Sequence, residues 1–117
     1  MQFEERPEVW RKAMDVAIEI YKRTASFPAV EIEGLAAQIR QAAMQLPTNI
    51  GLAAESDYTS EVLHFLSNAR HAAHEIDTLL IIAQDLNHLN ETECSMMREN
   101  IERIRDMMAA HFKLPDA

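Results

Sequence analysis

Glu61 and His64 stand three residues apart, the Glu-x-x-His spacing with which carboxylate-bridged di-iron bundles set two ligands on one helix face. A site of that kind needs a second such pair and two further inward glutamates. The rest of the chain offers only Asp15 and Glu19 in its first segment, nothing acidic in the middle of its second, and no Glu-x-x-His pair in its last. His71 and Glu75, four apart with His74 beside them, suit at most a weak surface site for zinc or nickel. The apolar stripe of this stretch runs through other positions, so His64, His71 and His74 read as a solvated flank. The metal-binding bundle is therefore a distant third reading, and no metal ligand or cofactor is assigned.

Nucleophilic chemistry has less to build on. Cys94 lies on an apolar helix side, where a buried, inert thiol is the default. Neither a G-x-S-x-G elbow nor a Walker A motif occurs, and two glycines cannot make a phosphate-cradling loop. No catalytic residue emerges, and the chain reads as non-enzymatic.

The elements that would position any such groups are helices. From Thr59 to Leu86, Val62, Phe65, Ala69, Ala72 or Ala73, Ile76, Leu79 or Leu80, Ala83 and Leu86 recur by threes and fours, a seam that another helix must cover. A first helix over about 7–26 opens at Pro7 and carries Trp10, Ala13, Met14, Ala17, Ile20 or Tyr21, and Thr24 on one face. Ser26-Phe27-Pro28 ends it. A second, over about 34–55, carries Leu35, Ile39, Ala42 or Ala43, Leu46, Ile50 and Ala53, with a kink expected at Pro47. The third spans about 59–87 with Thr59 or Ser60 as N-cap. The fourth spans about 90–112, capped by Asn90 or Thr92, and presents Cys94, Met97, Ile101, Ile104, Met108 and either His111 or Phe112. Short connections between four such helices predict one all-α domain, an antiparallel up-down four-helix bundle.

Composition narrows the partners. The chain has 117 residues and a net charge of −8, with no segment basic overall, which argues against nucleic acid. Arg11, Lys12, Lys22 and Arg23 on the first helix and Arg98, Arg103 and Arg105 on the fourth could form a strip. Asp15, Glu19, Glu99, Glu102 and Asp106 interleave with them at pairing intervals. A single cysteine fits a reducing compartment, and the longest apolar run, Leu79 to Ala83, is far short of the ~20 residues of a membrane span. A soluble cytoplasmic protein is expected. The seams are rich in small residues (Ala36, Ala37, Ala42, Ala43, Ala53 and Ala54; Ala69, Ala72, Ala73 and Ala83), leaving more than one apolar stripe per helix. Spare apolar faces predict a homo-oligomer.

Several runs in order carry a resemblance. They are Val9-Trp10-x-x-Ala13, Ile20-Tyr21-x-x-Thr24-x-x-Phe27-Pro28, Gly34-Leu35-x-x-Gln38-Ile39-Arg40-x-Ala42-Ala43, Pro47-x-Asn49-Ile50, and Glu61-x-x-x-Phe65-Leu66-x-x-Ala69 followed by Glu75. Over about residues 3–112 the chain resembles the four-helix-bundle proteins encoded in intervening sequences of bacterial 23S rRNA genes. The resemblance implies a bacterial cytoplasmic protein and a bundle of left-handed twist. It also implies similarity to the accessory subunits of diversity-generating retroelements, which form five-membered rings and bind nucleic acid. A homopentamer is the oligomer it favours. Where such proteins show Ala-Glu-Gly after the asparagine and then a loop arginine, this chain has Gly51-Leu52-Ala53 and Ser56-Asp57.

Arg40, Pro47, Asn49 and Glu75 keep the pattern and are the structural or interface candidates. Asn49 is placed to bond backbone groups left open at Pro47, and Arg40 to pair with Glu75 across neighbouring helices. The favoured function is an oligomeric scaffold or adaptor for a protein partner. The alternative is a nucleic-acid-binding accessory protein.

Overall fold

The computed structural model describes residues 6–113, which form four α-helices and one short 3₁₀ turn. Helix α1 (Glu8–Thr24) starts directly after Pro7, with Glu8 at its positive end and Lys22 and Arg23 at its negative end. Thr24 closes it by donating its hydroxyl to Ile20 O at 2.9 Å, and buried Phe27 anchors the exit. The turn Ala29–Glu31, not expected from the sequence, leads through Gly34 into α2 (Leu35–Glu55). There the Glu31 carboxylate accepts from Leu35 N at 3.4 Å, serving the first turn of a helix whose own N-cap has no side chain to offer.

Pro47 sits buried inside α2, and the helix runs through it unbroken from Leu35 to Glu55. Helix α3 (Thr59–Asp85) begins one residue earlier than the hydroxyl pattern suggested. Its N-cap is Tyr58, with no side-chain bond, and neither Thr59 nor Ser60 caps it. It ends where Asn87 adopts φ 64°, the left-handed conformation that asparagine tolerates better than most residues. Asn87 N then bonds Gln84 O and His88 N bonds Ala83 O, the paired closing bonds of a Schellman motif. Helix α4 (Glu91–Phe112) opens on the anticipated Asn90. The Asn90 side chain accepts from Glu93 N at 2.8 Å while the Glu93 carboxylate accepts from Asn90 N at 2.9 Å.

One cluster of buried apolar side chains draws on all four helices. α1 contributes Val9, Trp10, Ala13, Val16 and Ile20; α2 Ile39, Leu46 and Ile50; α3 Leu66, Ile76 and Leu80; α4 Cys94, Met97, Ile101, Ile104 and Met108. Each helix packs against its chain neighbours, and α4 closes the circle on α1. Contacts between helix ends fix the relative runs. Arg6, just before α1, meets Glu55 at the end of α2, and Arg23 at the end of α1 meets Glu93 at the start of α4.

The seams differ from the expected ones where apolar residues are adjacent. On α3, Leu66 is buried and Phe65 only partly so, and Leu86, placed on the seam by periodicity, is 51 % exposed at the helix end. On α1, Ile20 faces the core and Tyr21 the solvent; on α4, Phe112 packs inward and His111 is exposed. Ala42 and Ala43 are both buried, because α2 packs closely on both α1 and α3. Most of the small-residue surface counted as spare in the sequence is thus used inside the bundle.

Candidate interaction surface

Arg40 bridges two helices, though not the pair expected. Its Nε donates to Thr24 Oγ1 at 2.7 Å and its Nη2 to Tyr21 O at 2.9 Å, while the guanidinium lies 3.9 Å from the Tyr21 ring centroid. These are α1 groups, near the carbonyl end of that helix, where a fixed cation is favoured. Glu75 is exposed on α3 and is not its partner. Arg40 turns to α1, and among the described residues no hydrogen bond or ion pair joins it to Glu75.

Asn49 is buried, but its bonds run elsewhere than to the backbone groups expected at Pro47. Its Nδ2 donates to Gln45 O at 2.8 Å and Gln45 Oε1 at 3.1 Å, and its Oδ1 accepts from Asn68 Nδ2 at 3.3 Å. The carbonyl deprived of a donor by Pro47 is that of Ala43, one helical turn before the proline, and Asn49 does not reach it. The asparagine instead joins α2 to α3 by a polar link inside the seam. Two residues on, Gly51 makes room for Trp10: a Cβ there would stand 3.2 Å from Trp10 Nε1 and 3.3 Å from Cδ1. Arg6 lies over the same ring, 4.4 Å from its centroid.

Some exposed apolar residues lie on α1 and α2, while others, such as Leu63, Ile81, Ile82 and Leu86 on α3 or at its end and Met96 on α4, lie elsewhere. Ile18, Tyr21, Met44 and Leu52 are 48, 52, 50 and 41 % exposed. Between them a groove of about 540 Å³ is lined by Met14, Ala17, Ile18, Tyr21, Met44 and Pro47, with only Lys22 and Thr48 as polar lining. These residues form helical stripes at positions 14, 18 and 21 and at 44, 48 and 52. That signal was in the sequence but was masked by the stronger core periodicity beside it.

The cations form no continuous basic face. Arg23 is held by Glu19 at 2.8 Å and Glu93 at 3.0 Å, and that company raises its already high pKa. Arg98 pairs with Asp77 at 3.3 Å and Arg105 with Glu102 at 3.4 Å. His64, His71 and His74 are exposed on α3, and among the described residues no cluster of three ligating side chains is arranged for a metal. Cys94 is buried with its Sγ 3.4 Å from Leu80 O, and burial pushes its thiol pKa up, away from reactive thiolate. Among the described residues no helix is long and apolar enough to cross a membrane.

The family model of the 23S rRNA-intervening sequence proteins matches residues 5–110, which is nearly the whole bundle. The chain belongs to this family. No curated protein matches it. The match spans all four helices from α1 to the last turn of α4, so Arg40, Pro47, Asn49 and Glu75 all lie within the family region. Three of the four sit on α2: Arg40 bonded to α1, Asn49 to α3, and Pro47 at the floor of the apolar groove. Arg40 and Asn49 hold helices to one another, while Glu75 is exposed on α3.

Proposed function

We propose that this member of the intervening-sequence protein family is a non-enzymatic, self-associating bundle that serves as a scaffold or adaptor for a protein partner in the bacterial cytoplasm. The observation that carries the reading is the largely apolar α1–α2 groove, in which Lys22 is the one charged lining residue, with Ile18, Tyr21 and Met44 lining it and Leu52 exposed further along α2. Covering a large apolar side chain fully is worth about 1.5–3 kcal/mol. Each of these four is already roughly half covered, so about 1 kcal/mol apiece remains to be gained on association. A patch of this kind drives copies of one chain together unless another surface covers it. A ring of five, taken over from the retroelement accessory subunits the sequence resembles, is the stoichiometry proposed.

Light scattering on the purified chain tests this directly. The expected result is a discrete oligomer that the double substitution Ile18→Glu, Met44→Glu reduces to monomers while far-ultraviolet dichroism stays helical. A monomeric wild type would remove the reading; an unchanged mass in the variant would remove this face from it. The nucleic-acid-binding alternative predicts a mobility shift with structured RNA that weakens steeply with salt, and no shift at low salt eliminates it.

A further inference from the structure

The connection from α1 to α2 alternates apolar and acidic residues, Val30-Glu31-Ile32-Glu33, and the turn Ala29–Glu31 sorts them by direction. Glu31 is drawn inward, where its carboxylate meets His88 Nε2 at 2.9 Å and accepts from Leu35 N at 3.4 Å. Val30 and Ile32 on either side are left 84 and 60 % exposed, and Val30 is the most exposed large apolar side chain among the described residues. Backbone bonds fix the turn, from Glu31 N to Pro28 O at 2.9 Å, Ile32 N to Ala29 O at 3.2 Å and Gly34 N to Glu31 O at 3.1 Å. Two stiff β-branched side chains on a turn so held make a convex plug with little entropy left to lose on docking.

The α1–α2 groove is concave and apolar, and its charge is biased to one sign. α2 carries no carboxylate before Glu55 at its far end. Arg40, stacked on the groove residue Tyr21, spends its bonds on the neutral Thr24 Oγ1 and Tyr21 O. Glu19, three residues before Lys22, is taken by Arg23 at 2.8 Å. Asp15, beside Met14 and Ile18, stands about two helical turns from Lys22. The Tyr21 end of the groove thus keeps two cations without a carboxylate in contact. Glu33, next to the plug, is exposed and, among the described residues, has no hydrogen bond or ion pair. The α1–α4 cleft, of about 400 Å³, shows no such bias, because Lys12, Arg23 and Arg103 there are balanced by Asp15, Glu19 and Glu93. A copy cannot fill its own groove, because Glu31 ties the turn to His88 beyond the helix ends. We propose that the Val30–Ile32 turn of one copy docks in the α1–α2 groove of the next, bringing Glu33 against Lys22 and Arg40. This rests on the self-association proposed above and names what fills the groove. Plug and groove are different patches of one chain, so the contact is heterologous.

The experiment is light scattering on the full chain carrying Val30→Glu with Ile32→Glu, on the chain carrying Ile18→Glu with Met44→Glu, and on their equimolar mixture. Each variant alone is expected to be monomeric. The mixture should give a species of twice the monomer mass and nothing larger, because one intact plug and one intact groove remain between unlike chains. Lys22→Glu should weaken the wild-type assembly by about two- to fivefold, and adding Glu33→Lys should restore it. All the substituted residues are exposed, so helical dichroism should match the wild type. A plug variant that keeps the wild-type mass would overturn the docking and leave self-association standing. A mixture that stays monomeric would do the same, as would a Lys22→Glu, Glu33→Lys chain no stronger than Lys22→Glu alone. A monomeric wild type would overturn both.

Discussion

Replacing Arg40 with alanine should lower the thermal midpoint by about 8 °C, and the size follows from what the guanidinium touches. It donates to Thr24 Oγ1 at 2.7 Å and to Tyr21 O at 2.9 Å, and it covers the Tyr21 ring at 3.9 Å. Charged hydrogen bonds are worth about 1.5–3 kcal/mol when well buried, but Arg40 is only half-buried, which brings each nearer ~0.75 kcal/mol. The ring contact adds about 0.5 kcal/mol. The total of about 2 kcal/mol converts at roughly 4 °C per kcal/mol for a domain of this size. Protein concentration must be held constant, because an oligomer's midpoint moves with it. The discriminating measurement is a pair of double-mutant cycles by denaturant unfolding. Arg40→Ala with Thr24→Val should show coupling of about 1 kcal/mol, and Arg40→Ala with Glu75→Ala less than about 0.3 kcal/mol. Coupling to Glu75 and none to Thr24 would mean that Arg40 faces α3 in solution and would refute its attachment to α1.

Three further outcomes follow from the same geometry. Gly51→Ala should destabilise by about 1 kcal/mol despite alanine's better helix propensity. Its Cβ would press on Trp10, itself buried under Arg6, and a raised unfolding midpoint would show that the ring has room to yield. Asn49→Ala strips the α2–α3 link and leaves Asn68 without that partner, so unfolding free energy should drop by about 1–2 kcal/mol; no change in urea titration would contradict it. Burial holds the Cys94 thiol above its ordinary range, so folding favours the protonated form. The stability linked to it is complete below the ordinary thiol range and is lost as pH climbs through the raised value. Midpoints of wild type and Cys94→Ala should therefore differ by a constant amount through neutral pH and converge in alkaline solution. Rapid alkylation of Cys94 at neutral pH in the native chain would refute the buried-thiol account.

The helices could be read from the sequence because their signals are local. The three-and-four recurrence of Ala69, Ala73, Ile76, Leu80 and Ala83 needs no knowledge of the partner helix, and the Asn90-x-x-Glu93 box announces its own helix start. Adjacent apolar residues were ambiguous for the opposite reason. Phe65 and Leu66, or Ile20 and Tyr21, lie about 100° apart on a helix, and only the position of the neighbours decides which turns inward. Arg40 shows the same limit for a polar group. Periodicity places it on a flank of α2 but does not say whether α1 or α3 lies on that flank. The α1–α4 cleft was beyond reach altogether, since its volume depends on the separation of two helices at opposite ends of the chain.

The tie between His88 and Glu31, 2.9 Å apart, has a mechanical corollary when set beside that between Arg23 and Glu93. Among the described residues these are the hydrogen-bonded ties involving a carboxylate that cross from the α1–α2 hairpin to the α3–α4 hairpin, and both sit near the end where each hairpin makes its turn. The pairs toward the far end, such as Arg6 with Glu55, stay inside one hairpin. That far end is closed by the chain itself, because only residues 56–58 separate α2 from α3. The two hairpins are thus latched by side chains at one end and by backbone at the other, so breaking the side-chain ties would loosen the turn end and leave the α2–α3 corner joined.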